Sequence, residues 1–325
     1  MNNRTRGFRR FAAVFSLAAM TVLLSGCMDK FAVLDPKGVV GKQQLDLIVI
    51  TTLLCAVIIV PVLIMTFVIA WRYRHRPDSK AEYQPNWAHS PKLEIVWWTI
   101  PIIIIAILAT VTVRYTYKLE PSKPLVADAK PIIIQVTSLD WKWLFQYPEQ
   151  NIATVNYVAF PADVPVQFEL TSDAPMNSFW IPQLGGQIYT MSGMAMKLHL
   201  MADEPGTYRG SGANFSGKDF AKMRFDARAM TRAEFDRWVQ DVRATAPPLT
   251  QAGYDELAEP GTANEQDYSS IPAGLFERTV TKYIKGGSGH GHHHGGSSSA
   301  ADDAAMSEKV DAGKEADAMT EMHHH

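Results

Sequence analysis

Two long segments without a charged residue constrain this chain more than any other feature of its sequence. Residues 47–71 and 95–113 contain no Asp, Glu, Lys or Arg and consist mainly of Ile, Val, Leu and Thr. At roughly 1.5 Å per residue, a helix over either segment can cross a hydrocarbon core about 30 Å thick. We therefore predict a transmembrane hairpin, with helices over residues 45–71 and 95–115.

The segment between the two predicted helices, residues 72–94, orients them. It contains five basic residues: Arg72, Arg74, Arg76, Lys80 and Lys92. Short loops rich in Lys and Arg remain on the cytoplasmic side of a membrane. The sequence therefore predicts a two-pass protein of a bacterial inner membrane, with its N-terminus and its C-terminal domain in the periplasm.

The N-terminus has the pattern of a secretory signal peptide. Its first ten residues carry four arginines and no acidic residue, and an apolar stretch follows. The sequence LSGC then resembles a bacterial lipobox, in which Cys27 becomes the lipid-modified first residue of the mature chain. We predict a lipoprotein signal peptide over residues 1–26 and a periplasmic segment over residues 27–44. The alternative is an ordinary signal peptide with a coincidental cysteine at the cleavage site.

Charge and cysteine content exclude several kinds of function. The 325 residues carry a formal net charge of −2, so the charge balance does not indicate nucleic-acid binding. The two cysteines, Cys27 and Cys55, both precede the exported part of the chain. The predicted periplasmic domain therefore has neither a disulfide nor a thiolate ligand for a metal ion.

Residues 116–228 have the pattern of an all-β sandwich. Short runs alternate between apolar and polar residues, as in VPVQFEL at 164–170 and MKLHLM at 196–201, and turn-forming residues separate the runs. Runs of this kind at this spacing favour a sandwich or barrel. The alternation also predicts that His199 lies on a polar, solvent-exposed face.

Residues 229–285 change to a helical pattern that begins with a capping box of Thr231 and Glu234. Apolar residues then follow at helical spacing: Phe235, Trp238, Val239 and Val242. Two shorter helices are predicted after this one, and the apolar face of the second consists of Phe276, Val280, Tyr283 and Ile284. The stripes indicate either an extension packed on the sandwich or a docking face for another subunit.

The last segment, residues 286–325, is rich in Gly, Ser and charged residues and lacks apolar periodicity, which is typical of disorder. Seven of the ten histidines lie in this segment. Such a tract binds transition metals loosely, because a disordered segment holds no fixed ligand geometry.

Four motifs recur in order along the chain and carry a family resemblance. They are LEIVWWTIP at 93–101, DWKWLFQY at 140–147, MNSFWIPQLGGQ at 176–187 and EPGTYRGSGANFSGKDFAKM at 204–223. Together with the two apolar segments they resemble subunit II of the haem–copper respiratory oxidases. The resemblance implies a cupredoxin-like fold for the sandwich.

In the cytochrome c oxidases of that family, the sandwich holds a binuclear copper centre. The resemblance places the family's ligand positions at Asn177, Gly212, Asn214, Ser216, Phe220 and Met223. The family has imidazoles at the first and fifth positions, thiolates at the second and fourth, a backbone carbonyl at the third and a methionine at the last. Only the methionine side chain remains, so we predict that this chain binds no metal and that Met223 is a core residue.

The missing ligands make the chain resemble the cytochrome bo-type ubiquinol oxidases, whose subunit II also has an aromatic-rich helical extension. This resemblance implies a non-catalytic subunit of a proton-pumping complex that reduces oxygen to water. The haems, the copper and the main ubiquinol site are then expected in subunit I. The expected partners are subunit I, further small membrane subunits and the lipid bilayer. The alternatives are a copper-bearing cytochrome c oxidase subunit, or an unrelated lipoprotein that captures metal through its His-rich tail.

Three further side chains have roles to be tested. Ser90 and Pro91 mark a helix start, so Glu94 lies in the first turn. The resemblance places a glutamate there at the cytoplasmic mouth of a proton channel, whereas helix electrostatics alone also favour an acid at this position.

Trp141 matches the aromatic residue that accepts electrons from cytochrome c in the copper-bearing branch. Without copper behind it, we interpret Trp141, like Trp143, as a packing residue.

Overall fold

The computed structural model describes residues 31–74, 89–127 and 129–284. The predicted signal peptide, Cys27, most of the 72–94 loop and the His-rich tail therefore lie outside the described residues. Two long helices open this part of the chain, α1 (Val39–Arg72) and α2 (Pro91–Lys118). By length and composition both can cross a membrane, and each extends beyond its predicted bounds at both ends.

A sandwich of two β-sheets follows the helices, as the alternating pattern predicts. Its strands are β1 (Ile132–Leu139), β2 (Lys142–Tyr147), β3 (Ile152–Val155), β4 (Tyr157–Pro161), β5 (Val166–Ser172), β6 (Asn177–Trp180), β7 (Gln187–Thr190), β8 (Met196–Leu200), β9 (Gly206–Gly212), β10 (Arg224–Met230) and β11 (Gln266–Tyr268). The six-stranded sheet has the order β11-β3-β2-β1-β5-β8, and the five-stranded sheet has the order β4-β10-β9-β6-β7. The pairs β1–β5 and β4–β10 are parallel, and the other paired strands are antiparallel.

Aromatic rings fill the space between the sheets. The ring of Phe179 stacks on that of Phe225 with centroids 5.0 Å apart, and Trp143 meets Phe179 edge to face at 5.3 Å. Trp143 is fully buried, which confirms its predicted packing role. Gly210 lies directly beneath the ring of Phe225, where any side chain would collide with it. The core therefore needs both large rings and a residue without a side chain.

The first helix begins directly against the sandwich. Gly41 is buried and its N–H donates to the carbonyl of Leu184 in the β6–β7 loop, at 2.9 Å. A Cβ on Gly41 would lie 2.9 Å from the carbonyl oxygen of Gln183, and one on Gly38 would collide with the carbonyl oxygen of Met201. Only glycine allows the two backbones to approach this closely.

The helical extension packs on the sandwich, which decides between the two alternatives for its first helix. Helix α3 (Arg232–Thr245) begins with the predicted capping box of Thr231 and Glu234. Three residues of its apolar stripe are buried in the main core: Phe235, Val239 and Val242.

The rest of the extension covers the outer face of the six-stranded sheet. It comprises α4 (Gln251–Ala258), β11 and α5 (Leu275–Ile284). A second core of apolar side chains forms there, including Leu139, Leu144, Val155, Leu257 and Leu275. The predicted apolar face of α5 is partly wrong, because its buried residues are Leu275, Phe276 and Thr279, and Tyr283 and Ile284 are exposed.

The prediction of an exposed His199 is also wrong, since this residue is only 4% exposed. The segment that leaves α2 lies over this part of the sheet. The backbone N–H of His199 donates to the carbonyl of Pro121 at 3.1 Å, and Nδ1 faces the same oxygen at 3.2 Å. Nε2 faces Oε1 of Gln167 at 3.3 Å. A strand's alternation pattern contains no information about a distant segment that covers its polar face.

Candidate functional site

The loop between β9 and β10, residues 213–223, contains most of the ligand positions that the family resemblance implies. Strand β6 pairs with β9 so that Phe179 lies opposite Gly212, which places Asn177 beside the loop. The N–H of Gly212 donates to the carbonyl of Met223 at 3.0 Å, and the N–H of Ala213 donates to the carbonyl of Ser178 at 2.8 Å. These backbone bonds fix both ends of the loop.

Four of the six implied positions converge on one point. Nδ2 of Asn177 donates to Oγ of Ser216 at 3.0 Å and to Sδ of Met223 at 2.9 Å. A Cβ on Gly212 would lie 2.7 Å from Oδ1 of Asn177. Asn177 and Met223 are both almost fully buried, so the prediction that Met223 is a core residue is confirmed. The buried amide of Asn177 thus joins the strand to the loop.

The other two positions lie at the outside of this cluster. Nδ2 of Asn214 donates to the carbonyl of Met176 at 3.3 Å. Phe220 begins a short 3-10 turn, Phe220–Lys222, and its ring meets that of Phe215 edge to face at 5.8 Å. These contacts are of the kind that an ordinary protein loop makes.

The donor atoms at these positions do not fit a binuclear copper centre. Such a centre depends on soft thiolate sulfur and imidazole nitrogen, whereas this cluster offers an amide, a hydroxyl and one thioether. Elsewhere in residues 31–74, 89–127 and 129–284, no group of three or more His, Cys, Asp or Glu side chains is arranged to hold a metal ion.

Trp141 packs against the same loop. Its backbone is in the left-handed region, with φ of 62°, and its Nε1 donates to the carbonyl of Ser216 at 3.2 Å. A Cβ on Gly217 would lie 2.9 Å from the indole ring, and Nζ of Lys218 lies 5.7 Å from the ring centroid. The ring is therefore buried beneath the loop, as expected of a packing residue.

Charged groups beside Trp141 attach the extension to this end of the sandwich. Burial raises the pKa of Asp140 and lowers the pKa of Lys142. Nζ of Lys142 donates to the carbonyl of Glu259, at the end of α4, at 2.6 Å. The buried ammonium group is thereby satisfied by a carbonyl of the extension.

Glu94 lies at the other end of the molecule, in the first turn of α2. As predicted, Ser90 occupies the N-cap position and Pro91 the first helical position, although the Ser90 side chain makes no capping hydrogen bond. The carboxylate of Glu94 pairs with Nδ1 of His89, and the Glu94 side chain is one-third exposed. Sequence reasoning missed this partner, although a histidine just before a helix start is within reach of the first turn.

Comparisons with known proteins identify the family. The chain is 48% identical to the cytochrome bo(3) ubiquinol oxidase subunit 2 of Pseudomonas putida over 278 residues, which cover 85% of this chain and 88% of the relative. It is 43% identical to the ubiquinol oxidase subunit 2 of Acetobacter aceti over 267 residues, covering 82% and 86% of the two chains. The chain belongs to the subunit 2 family of the quinol oxidases. The quinol oxidase subunit 2 of Bacillus cereus is 47% identical over 266 residues, covering 82% of this chain and 91% of the relative.

A second match concerns the helical extension of the chain. The family model described as the COX Aromatic Rich Motif matches residues 243–287. The match begins in the last turn of α3 and includes α4, β11 and α5. It confirms that an aromatic-rich extension follows the sandwich.

The predicted fold class is confirmed, because two helices long and apolar enough to cross a membrane precede a cupredoxin-like β-sandwich and a small helical extension. The periplasmic domain of cytochrome oxidase subunit II from Bradyrhizobium japonicum is similar to this chain in structure. That domain is 21% identical, with 37% of this chain and 96% of that chain covered and a TM-score of 0.34.

Proposed function

We propose that this chain is the redox-inactive subunit II of a complex that oxidises ubiquinol and reduces oxygen to water. The observation that carries the proposal is the closed cluster of Asn177, Ser216 and Met223, in which an amide occupies the centre of the implied copper site. Relatives over most of the chain are named ubiquinol oxidase subunits. The haems, the oxygen-reducing copper and the main quinol site then belong to subunit I.

The surroundings of Trp141 support a path for electrons that avoids this domain. The indole lies beneath Gly217, with Lys218 beside it, and an amide and a thioether lie in the cluster beyond the loop. The ammonium, amide and thioether groups around the indole do not accept or donate an electron at biological potentials. Electrons from ubiquinol therefore enter subunit I directly, and the sandwich contributes assembly and shape.

The two alternative functions are less well supported. A copper-bearing cytochrome c oxidase subunit needs thiolates and imidazoles that the implied positions lack. A metal-capturing lipoprotein would rely on the His-rich tail, residues 286–325, and would leave the family membership without a role. The quinol oxidase function accounts for the whole described chain.

We assign the contact with subunit I to two surfaces. The first consists of the apolar sides of α1 and α2, which no part of the described chain covers. The second consists of exposed apolar side chains on the loop of residues 213–223 and on or beside β6 and β7. They are Met176, Tyr189, Met194 and Phe215. Exposed apolar clusters of this kind are typical of protein interfaces.

We assign Glu94 to proton entry on the cytoplasmic side. An ionisable group at the membrane edge is a functional candidate, and the family resemblance implies a glutamate at a channel mouth here. Its pairing with the exposed side chain of His89 supports the assignment, because the pair places the carboxylate at the surface end of the helix.

We further propose that residues 1–26 are removed, that Cys27 is lipid-modified and that the sandwich lies in the periplasm. The LSGC sequence and the five basic residues between the helices support this arrangement. Mass spectrometry of the mature N-terminus tests it. A diacylglyceryl mass on Cys27 is expected, and an unmodified N-terminal peptide would contradict lipidation.

The function is tested on the intact, detergent-purified complex by comparing electron donors. Reduced ubiquinol and reduced cytochrome c are supplied separately, oxygen uptake is recorded, and copper is counted per complex. We expect uptake with quinol only, with no copper beyond that of the oxygen-reducing centre. Uptake with cytochrome c, together with additional copper, would show that the ligand positions are mapped wrongly.

A further inference from the structure

A pocket of about 250 Å³ lies where both membrane helices meet the sandwich. One side is the first turns of α1, with Val39, Val40 and Gln43, and another is the end of α2, with Lys118 and Leu119. Because these are the helix ends nearest the sandwich, the pocket lies at the level of the lipid headgroups on that side of the membrane.

The pocket wall is fixed by buried contacts. Residues 120–126, which leave α2, form the outer wall, and His199 on β8 forms part of the inner wall. His199 is almost fully buried, and both its backbone N–H and its Nδ1 lie against the carbonyl oxygen of Pro121. Its Nε2 lies against Oε1 of Gln167, so the ring connects β5 to the segment of residues 120–126 and fixes the position of that segment. The pocket is thus a built feature of the fold.

The charged groups in the pocket wall favour an anion. Lys118 and Lys123 each contribute an ammonium group, and Glu120 contributes one carboxylate. Oγ of Ser122 donates to Oε1 of Glu120 at 2.8 Å, which leaves the other carboxylate oxygen available as an acceptor. The three groups sum to a charge of +1. Basic residues at a membrane surface attract anionic lipids.

We propose that this pocket binds the headgroup of an anionic glycerophospholipid. The phosphate lies between Lys118 and Lys123, and a headgroup hydroxyl donates to Glu120. The apolar walls of Val39, Val40 and Leu119 contact the glycerol and the upper acyl chain. The proposal depends on the two-pass membrane topology and is independent of which donor the oxidase uses.

Native mass spectrometry of the whole purified complex, titrated with phosphatidylglycerol, tests this proposal. The variant is Lys118→Gln/Lys123→Gln, and the matched control is Lys130→Gln/Lys222→Gln, which also removes two exposed lysine charges but outside the pocket. We expect the tightest phosphatidylglycerol to bind roughly tenfold more weakly to the variant, because charge-assisted contacts are lost. The control should bind it as the unaltered complex does.

Two outcomes would overturn the proposal. One is equal phosphatidylglycerol binding by the variant and the control, and the other is equal or tighter binding of phosphatidylethanolamine to the unaltered complex. If the lysine variant fails to assemble, Val39→Phe narrows the pocket without changing charge. It should also weaken the tightest site, and undiminished binding by this variant would contradict the proposal.

Discussion

Asp173 joins the sandwich to the last helix and is buried, with its side chain 1% exposed. It accepts hydrogen bonds from the hydroxyls of Tyr254 at 2.7 Å and Tyr283 at 2.6 Å, and from Nζ of Lys282 at 2.7 Å. Burial acts to lower the pKa of Lys282, but the bond and charge of Asp173 outweigh it and raise the pKa overall. One carboxylate therefore holds three side chains of the extension.

Asp173→Asn should loosen helix α5 without unfolding the sandwich. The amide keeps the size of the side chain but loses the charge, and its NH2 group cannot accept a hydrogen bond as the carboxylate oxygen does. We expect the local opening free energy of α5 to fall by about 2–3 kcal/mol, as for hydrogen bonds to a charged group. Hydrogen exchange of the α5 amides measures it. Asp255→Asn, on the exposed side of α4, is the control and should leave exchange unchanged.

Glu94→Gln should slow turnover severalfold while the complex still assembles. The substitution keeps the shape of the side chain but removes its ability to carry a proton into subunit I. Oxygen uptake with ubiquinol measures the rate, and haem content per complex measures assembly. Glu256→Gln, which alters an exposed glutamate of α4, is a matched control with an expected rate near that of the unaltered complex. A normal rate for Glu94→Gln in a fully assembled complex would exclude the proton-entry role.

At the scale of elements, the loop of residues 213–223 and strand β6 hold four of the six implied ligand positions close together. The backbone bonds at Gly212 and Ala213 fix the ends of this loop. The sequence could predict which ligands are missing, because a resemblance aligns position with position. It could not predict that Asn177 bridges Ser216 and Met223, because that contact depends on rotamers in a packed core.

Restoring the missing donors should restore copper binding. The variant is Asn177→His, Gly212→Cys, Ser216→Cys and Phe220→His, with Met223 and the Asn214 carbonyl unchanged. We expect a bound copper pair with visible thiolate absorption, because the backbone already brings positions 177, 212, 216 and 223 together and position 220 lies on the same loop. The control variant is Asn177→His, Gly212→Ser and Phe220→His, with Ser216 unchanged. It has both new histidines but no cysteine at these positions, so it should lack the thiolate absorption. Absence of copper from the folded thiolate variant would contradict the ligand mapping.

The helices and strands show where pattern reasoning succeeds. The capping box at Thr231 and the inward face of β5 follow from local chemistry and are confirmed. The prediction for His199 is wrong because this side chain contacts Pro121, a residue distant in sequence, and periodicity cannot reveal such a contact. Periodicity places Tyr283 on an apolar face, but its side chain is exposed and its hydroxyl donates to the buried Asp173.

At the scale of the whole molecule, buried tyrosines make the fold sensitive to alkali. Burial raises the pKa of Tyr147, Tyr157 and Tyr254 above the ordinary value of 10.0. At pH values below about 10, these tyrosines are protonated in both the folded and the unfolded chain, so they do not make the stability depend on pH. Above it the unfolded chain loses protons that the folded chain keeps, so stability falls as the pH rises.

The full chain in detergent should therefore unfold cooperatively at a pH above about 10, with tyrosinate absorbance from the buried tyrosines rising in the same transition. Circular dichroism measures the fold, and absorbance near the tyrosinate maximum measures ionisation. Tyr189→Phe, at a half-exposed position, is the control and should leave the unfolding transition unchanged. Ionisation of every tyrosine before any loss of the fold would contradict the expectation.

The overall plan of the molecule could be predicted further than its internal contacts. Hydropathy predicts two spans, and alternation predicts the sandwich, because both depend on residue type along the chain. The junction between them depends on Gly38, Gly41 and Gly185, and a glycine has no side chain from which a contact can be predicted. Gly185 has a φ of 87°, which lets the β6–β7 loop turn beneath the first helix.

That junction has a consequence inside the bilayer. The part of α1 over residues 47–71 is apolar on all sides, so lipid alone gives the helix no preferred rotation about its own axis. Its first turn, however, is fixed to the sandwich by Gly41 and by an ion pair between Lys42 and Asp203 at 2.5 Å. The rotation of the helix about its axis is therefore fixed by contacts with the sandwich, outside the bilayer. These contacts determine which face the helix presents to a neighbouring subunit.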